Sequence, residues 1–188
     1  MKNANPVSRL LIAAVIAGAS TGLVACAEEK ASSGQPSGKG TTGAVAAAPK
    51  TVADFFPITV GGKTVRMQLA VRAPEMQRGL MERRDLGRDD GMIFVYEGPQ
   101  QMSFWMRNTP TPLDIGFFSP SGVLEEVYPL HPFDETAVAS RGMRLQFALE
   151  TNQGWYRENG VKPGAQLDLK ALTAALQARG FNPQRYGL

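Results

Sequence analysis

The alternation of apolar and polar residues predicts a mostly β domain between residues 52 and 170. Residues 64–71 read Thr-Val-Arg-Met-Gln-Leu-Ala-Val, which has the period of a half-buried strand. Gly61 and Gly62 separate this segment from the apolar residues 56–60, and they predict a two-residue hairpin turn. Further strands are predicted over residues 91–96, 102–107, 113–118, 123–129, 143–150 and 165–169.

Helical patterns are few. A short helix is predicted over residues 74–81, a second over 152–159 and a third over 170–179, with a glycine directly after each of the last two. Residues 171–188 are therefore interpreted as a C-terminal helix and tail. Many short strands with few helices indicate a mainly β (α+β) fold, a compact single domain of the β-sandwich or barrel-like type. About 120 residues are enough for one hydrophobic core and not for two.

The N-terminus has the pattern of an export signal. An apolar run over residues 10–19 follows Lys2 and Arg9, and it is well short of the ~20 residues that a membrane-spanning helix needs. Residues 23–26 read Leu-Val-Ala-Cys and resemble the bacterial lipoprotein box, in which the cysteine is acylated and becomes the first residue after cleavage. We predict a signal peptide over residues 1–25 and lipidation of Cys26. The alternative is an ordinary signal peptide cut near the same point, which leaves a free thiol.

These features predict the subcellular localisation of the protein. Two or more acyl chains on Cys26 would hold it at a membrane for a long time. Residues 26–51 would be the lipidated cysteine and a flexible tether, because small and polar residues dominate them and they cannot bury enough surface to fold. The predicted localisation is the periplasmic side of the cell envelope, on the inner or the outer membrane.

Charge and cysteine content exclude several classes of function. The chain has 20 Lys and Arg against 17 Asp and Glu, and loss of residues 1–25 removes Lys2 and Arg9 but no acid, which leaves a net charge of +1. A nearly neutral domain does not favour nucleic acid as a partner. Cys26 is the only cysteine, so the domain has neither a disulfide nor a catalytic thiol.

Several ordered blocks make the chain resemble the DUF192 family, a domain of unknown function that is often secreted or membrane-anchored. The blocks are Arg78-Gly79-Leu80-Met81, residues 91–95 (GMIFV), residues 103–109 (SFWMRNT), residues 112–115 (PLDI), Leu149-Glu150, Gly154-Trp155 and residues 159–164 (NGVKPG). The resemblance covers roughly residues 54–170. It implies a mostly β fold with a few short helices, and it implies no established activity, substrate or cofactor.

Three carboxylates within or beside these blocks are candidates for catalysis: Glu75, Asp114 and Glu150. Two carboxyl groups about 5–10 Å apart can act as general acid and base or nucleophile, as in glycoside hydrolysis. The alternative is structural, since a buried acid persists when it is paired or hydrogen-bonded. Asp114 could pair with Arg107 or Arg78, or accept N–H bonds from a nearby turn. We favour the structural role.

A second group of residues has the chemistry of a binding site. Trp105, Arg107 and Asn108 combine an aromatic ring, a planar cation and an amide, and with Asp114 they are candidates for holding a sugar, a peptide or an anionic headgroup. The alternative is that Trp105 belongs to the core and that Asn108 satisfies a turn.

Other kinds of site receive little support. His131 is the only histidine and no Gly-x-Ser-x-Gly motif occurs, which does not favour a Ser-His triad. His131, Asp134 and Glu135 lie close in sequence but match neither a zinc nor a calcium ligand pattern. We predict no metal and no cofactor.

Two functions remain. The first is a membrane-anchored envelope lipoprotein with a non-catalytic module that binds a small molecule, a glycan or an envelope protein. The second is a small hydrolase or lyase that uses Asp114 with Glu75 or Glu150 on cell-envelope carbohydrate. Two carboxyl groups converging within ~10 Å in an open cleft, one of them with a raised pKa, would favour the enzyme. The absence of a recognisable nucleophile makes the binding module the preferred prediction.

Overall fold

The computed structural model describes residues 48–188, so the predicted signal peptide, Cys26 and most of the tether lie outside the described residues. Within this part of the chain there are eight strands, three α-helices and one 3-10 helix. They are β1 Phe56–Val60, β2 Lys63–Ala70, α1 Ala73–Arg78, β3 Asp90–Gln100, β4 Ser103–Phe104, β5 Leu113–Phe118, β6 Leu124–Leu130, β7 Val138–Ala139, β8 Leu145–Asn152, α2 Trp155–Glu158, α3 Leu169–Ala178 and the 3-10 helix Pro183–Tyr186.

Six strands form one mixed sheet in the order β1-β2-β3-β8-β5-β6, and β4 pairs separately with β7. Only β2 and β3 run parallel among these pairs, and α1 lies in the connection between them. The segment 164–168 joins the two edges of the sheet. On the β1 side Gly61 N donates to Gln166 O at 2.9 Å, and on the β6 side Leu124 N donates to Ala165 O at 2.8 Å. The sheet is thereby drawn into a barrel-like shape, and the predicted fold class is confirmed.

The two faces of the sheet are buried in different clusters. Successive side chains of a strand point to opposite faces, so Ile93 belongs to the first cluster and Phe94 to the second. Helix α3 covers the first face with Leu172 and Leu176, both fully buried. The predicted C-terminal helix therefore shares the core of the β domain. The second face is covered by α1, the β4–β7 pair and the loops around them.

The sequence pattern predicted the hairpin and several strands well. Val60 pairs with Lys63, which leaves Gly61 and Gly62 as the two-residue turn. Both turn residues have positive φ, 57° and 76°, a conformation that glycine adopts without a steric cost. The predicted strand over residues 113–118 has the observed bounds of β5.

Two predicted strands are different in the structure. The strand expected over residues 102–107 is reduced to Ser103–Phe104, because the chain turns directly afterwards and Thr109 N donates to Met106 O at 3.0 Å. The segment 165–169 makes isolated bridges instead of a strand, because Asp168 is already the N-cap of α3 and accepts from Ala171 N at 2.9 Å.

Candidate ligand-binding groove

A groove opens on the second face of the sheet, between residues 76–83 and residues 104–109. We call residues 104–109 the strap. Three adjacent cavities, all bordered by Arg78 and Met81, make up the groove. One of about 310 Å³ extends towards Gln68 and Met92, one of about 430 Å³ lies beside the strap, and a small one of about 30 Å³ lies over Glu150. A shape of this kind can hold part of a small ligand or a polymer segment.

Backbone hydrogen bonds from Glu82 on one side and Phe133 on the other hold the strap, and three residues at these contacts have unusual backbone conformations. Glu82, Asn108 and Phe133 have φ values of 63°, 53° and 60°, and they are the non-glycine residues with positive φ in the described part of the chain. Glu82 N donates to Asn108 O at 2.8 Å, and Phe133 N donates to Thr109 O at 3.1 Å. Backbone conformations of this kind persist where the surroundings impose them, and they cluster at functional sites.

The strap presents Trp105 to solvent. Its neighbours Phe104 and Met106 are 9% and 2% exposed, whereas Trp105 is 45% exposed. The guanidinium of Arg107 lies over the indole, 5.6 Å from the ring centroid. Asn108 is exposed beside them. The structure therefore does not place Trp105 in the core, and it brings three of the four predicted binding residues together at the rim of the groove, where an aromatic face and a cation can meet a ligand.

Glu150 lies at the floor of the small cavity. It sits on β8 opposite Met92 of β3 and Ile115 of β5, and it is 4% exposed. The cavity lining is mostly aromatic and aliphatic, with Gln77, Arg78 and Thr109 as its other polar members. Burial raises the pKa of the Glu150 carboxyl group to about 8. Within residues 48–188 no hydrogen bond or ion pair reaches that carboxyl group. Burial therefore favours the neutral form of Glu150, and the acid has no partner among the described residues.

Asp114 lies on the other face of the sheet. It is paired with Thr151 while Ile115 is paired with Glu150, so the sheet separates the two carboxyl groups. Asp114 accepts a hydrogen bond from Gly154 N at 2.7 Å. Burial raises its pKa, and the Gly154 bond and the charge of Arg157 oppose this shift. Of the expected partners, the structure gives Asp114 a backbone N–H and neither Arg107 nor Arg78, but the donor is Gly154 and not the turn before Leu113. The expectation that Asp114 belongs to the binding group with Trp105 is wrong, because it does not line the groove.

Glu75 borders the cavity of about 310 Å³, but its carboxylate is engaged elsewhere. Arg179, whose side chain is 1% exposed, donates to it at 2.6 Å, and the backbone N–H groups of Val71 and Arg72 donate at 3.0 Å. Burial disfavours its charged form, but these donors outweigh burial and lower the pKa of Glu75 to about 2. Glu75 therefore ties the start of α1 to the end of α3. Of the three candidate carboxylates, Glu150 alone faces an open cavity without a partner.

The loop around His131 supports the strap. Met106 N donates to Asp134 O at 2.8 Å, and the Asp134 carboxylate accepts from Thr136 N at 2.8 Å. Within residues 48–188 there is no cluster of three or more His, Cys, Asp and Glu side chains that could bind a metal ion. Nor does that part of the chain include a helix with the length and apolarity needed to cross a bilayer.

Sequence reasoning missed several residues of the groove. Gln68, Met76, Met81, Arg83 and Met92 line it, and Arg83 donates to Gln68 at 2.9 Å. A signal was present in the sequence, since four of the blocks that resemble DUF192 meet at the groove. These are residues 78–81, 91–95, 103–109 and 149–150. Segments so distant in sequence converge at one place on the surface.

Six paired strands, a segment that joins their edges and a groove on one face define a small barrel-like β domain. Residues 56–169 match the DUF192 family, which is described as "Uncharacterized ACR". The match spans more than half of the chain, and the chain belongs to this family.

Two solved structures are similar. One is a protein of unknown function from Novosphingobium aromaticivorans, with 36% sequence identity, a TM-score of 0.59, and coverage of 65% of this chain and 94% of that chain. The other is described as a candidate transcription regulator from Sinorhizobium meliloti, with 29% identity, a TM-score of 0.58, and coverage of 61% and 95%. No significant match was found among curated proteins.

Proposed function

We propose that this chain is an exported lipoprotein, anchored through Cys26 to a membrane of the cell envelope, whose DUF192 domain is a non-catalytic module that binds a ligand in the groove. The observation that carries the proposal is the convergence on one groove of the exposed Trp105–Arg107 pair and the buried, unpartnered Glu150. Exported domains of this kind meet small molecules, glycans and segments of other envelope proteins, and the groove is open enough for each.

The side chains of the groove can bind a ligand by stacking, by hydrogen bonding and by apolar contact. The indole of Trp105 offers a flat apolar surface for stacking, and the guanidinium of Arg107 beside it offers charge-assisted hydrogen bonds. Methionine side chains line the walls, and their flexibility suits a surface that adapts to a ligand. The strained strap around Asn108 holds these groups in place before a ligand arrives, which reduces the entropy cost of binding.

The hydrolase alternative has less support from the geometry. Asp114 lies across the sheet from Glu150, and the carboxylate of Glu75 is held by Arg179. Within residues 48–188, neither of the other two candidate carboxylates is available beside Glu150 as the second group that the mechanism requires. The Sinorhizobium meliloti protein is described as a candidate transcription regulator, but the near-neutral charge of the exported chain does not favour a nucleic-acid partner here.

Replacement of Trp105 and Arg107 by alanine is expected to weaken ligand binding at least about tenfold, because stacking and a charge-assisted bond are lost together. The measurement is a thermal-shift screen of residues 48–188 with cell-wall fragments and envelope sugars. A ligand present at 100 times its Kd stabilises by about 2.7 kcal/mol, a shift of several degrees for a domain of this size. This segment contains both hydrophobic clusters, and the similar crystallised chains consist almost wholly of the same domain.

Two control variants accompany the screen. Met143 and Arg144 are exposed and lie outside the groove, so their double replacement by alanine removes comparable groups and should leave binding unchanged. Asp114→Asn alters the opposite face of the sheet and should also retain binding. A ligand whose affinity survives loss of Trp105 and Arg107 but falls in Asp114→Asn would move the site to the other face.

Replacement of Cys26 by serine is expected to abolish lipidation. Cells that express the full chain would be fed a palmitate analogue carrying an alkyne, and the protein would be isolated and tested for label. The wild-type protein should be labelled and should begin at Cys26 by mass spectrometry, whereas the serine variant should carry no label. An unlabelled wild-type protein with a free thiol would contradict the anchor.

A further inference from the structure

The small cavity over Glu150 limits the size of what can enter it. Its volume of about 30 Å³ holds a group the size of one or two water molecules. A sugar ring or a trimethylammonium group is too large. A terminal ammonium or hydroxyl group on a slim aliphatic stem fits, provided that the stem leads out into the wider groove.

The floor of the cavity requires a polar occupant. Glu150 is 4% exposed, its carboxyl group opens onto the cavity and not into the sealed core, and no hydrogen bond to that group forms within residues 48–188. A buried polar group without a partner is costly. The ligand group that reaches Glu150 must therefore hydrogen-bond with it.

The walls favour a cation over a neutral or acidic group. Phe94 and Phe104 meet edge to face at 4.9 Å beside the cavity, and Trp105 borders its mouth. Aromatic rings attract cations, most strongly when these are desolvated. Among the described residues, Glu150 is the only acid that lines this cavity. The side chain of Arg78, also at its border, is 70% exposed and points to Glu82 at 3.1 Å, so its charge lies at the rim.

We propose that the cavity over Glu150 binds a primary ammonium group carried on an aliphatic stem, with the stem lying between Met81 and Trp105. The proposal rests on the function assigned to the groove above and names the chemistry of its ligand. On binding, the O–H bond of the Glu150 carboxyl group breaks, the proton passes to solvent, and the carboxylate accepts hydrogen bonds from the ammonium. The ammonium keeps its own protons, because its usual pKa is above 10.

The other titratable groups near the cavity do not contribute to the proton that is released when the ammonium group binds. Tyr96 and Tyr156 interact electrostatically with Glu150, and burial raises the pKa of each above its ordinary value, so both stay neutral at pH 7. Arg78, at the rim, pairs with Glu82 at 3.1 Å. Asp114, on the other face, faces Gly154 N and lies outside the cavity. Release of a proton on binding therefore reports Glu150.

The test uses calorimetric titration of residues 48–188 at pH 7 in two buffers of different ionisation enthalpy. The probes are Nα-acetyl-lysine amide, Nα-acetyl-norleucine amide, which lacks the ammonium, and O-phosphoethanolamine. The ammonium probes should bind at least about tenfold more tightly than the norleucine probe and should release close to one proton per molecule bound. In Glu150→Gln that preference and the proton release should both be lost. Tighter binding of the lysine probe points to a peptide as the source of the ammonium, and tighter binding of phosphoethanolamine points to a lipid headgroup.

Equal affinity for the lysine and norleucine probes, or binding without proton release in the wild-type protein, would overturn the inference. Neither result depends on the variant. The proposed binding function of the groove is tested separately. It would be contradicted if no cell-wall fragment or envelope sugar binds at Trp105 and Arg107. Fragments that bind the wild-type protein and Glu150→Gln equally well, while the ammonium probes bind neither, would leave the groove function standing and remove only the ammonium site.

Discussion

Glu150→Gln is expected to stabilise the domain by about 4 kcal/mol at pH 8 and to change its stability little at pH 4. The folded protein holds the pKa of Glu150 near 8, against an ordinary value of 4.5. Between these two values the unfolded chain has released a proton that the folded chain retains. The free energy of unfolding therefore falls with rising pH, by up to about 1.4 kcal/mol per pH unit from this group. Glutamine cannot ionise, so the variant lacks this contribution.

Urea unfolding of both proteins at pH 4, 6 and 8 measures the effect. Burial also raises the pKa of Asp114, which destabilises the fold in the same direction as pH rises. Asp114 is present in both proteins, so the difference between them isolates Glu150. Parallel stability curves over this pH range would show that the Glu150 carboxyl group is hydrated or paired, and would remove the basis for a neutral acid in the groove.

Glu75→Gln is expected to destabilise the domain by roughly 3–5 kcal/mol at pH 7, because it leaves the guanidinium of Arg179 buried without its counter-charge. Arg179 is 1% exposed at its side chain and also donates to Leu69 O. Removing both charges together, with Glu75→Met and Arg179→Met, is expected to cost much less than the sum of the single changes. Urea unfolding of Glu75→Met, Arg179→Met and the double variant gives the coupling free energy between the two side chains.

The effect of Glu75→Gln should depend on pH in the opposite sense to that of Glu150→Gln. The pKa of Glu75 is lowered to about 2 from 4.5, so its contribution to stability is complete above pH 4.5 and is lost as pH falls towards 2. The matched control is Glu82→Gln, because Glu82 pairs with Arg78 at the surface, where both side chains are about 70% exposed. That exposed pair should contribute under about 1 kcal/mol. Equal effects of the two changes would contradict a structural role for the Glu75–Arg179 pair.

Local patterns predicted the fold because they depend on neighbouring residues. Alternation located β2 and β5, and two glycines located the hairpin between β1 and β2. The barrel-like closure was only partly predictable. The segment 165–169 has strand-like residues, but Asp168 is used as the cap of α3, so a continuous strand does not form.

The candidate site could be predicted only in part, since it depends on register and on distant partners. The sequence alone makes Glu75, Asp114 and Glu150 equal candidates for a catalytic carboxylate. The pairing of Ile115 with Glu150 puts the latter across the sheet from Asp114, and the partner of Glu75 is Arg179, about a hundred residues away. Neighbouring residues of a strand point to opposite faces, but the sequence does not tell which of Phe104 and Trp105 the rest of the chain covers.

The most direct test of the groove is a methyl NMR titration of residues 48–188 labelled with ¹³C at the methionine methyl groups. The label gives separate reporters in the groove, at Met76, Met81 and Met92, and away from it, at Met67 in the first cluster and Met143 at the surface. With a cell-wall digest as the titrant, we expect saturable shifts of the groove methyls and unchanged signals from Met67 and Met143. Shifts confined to Met67 or Met143, with the groove methyls unmoved, would contradict this expectation.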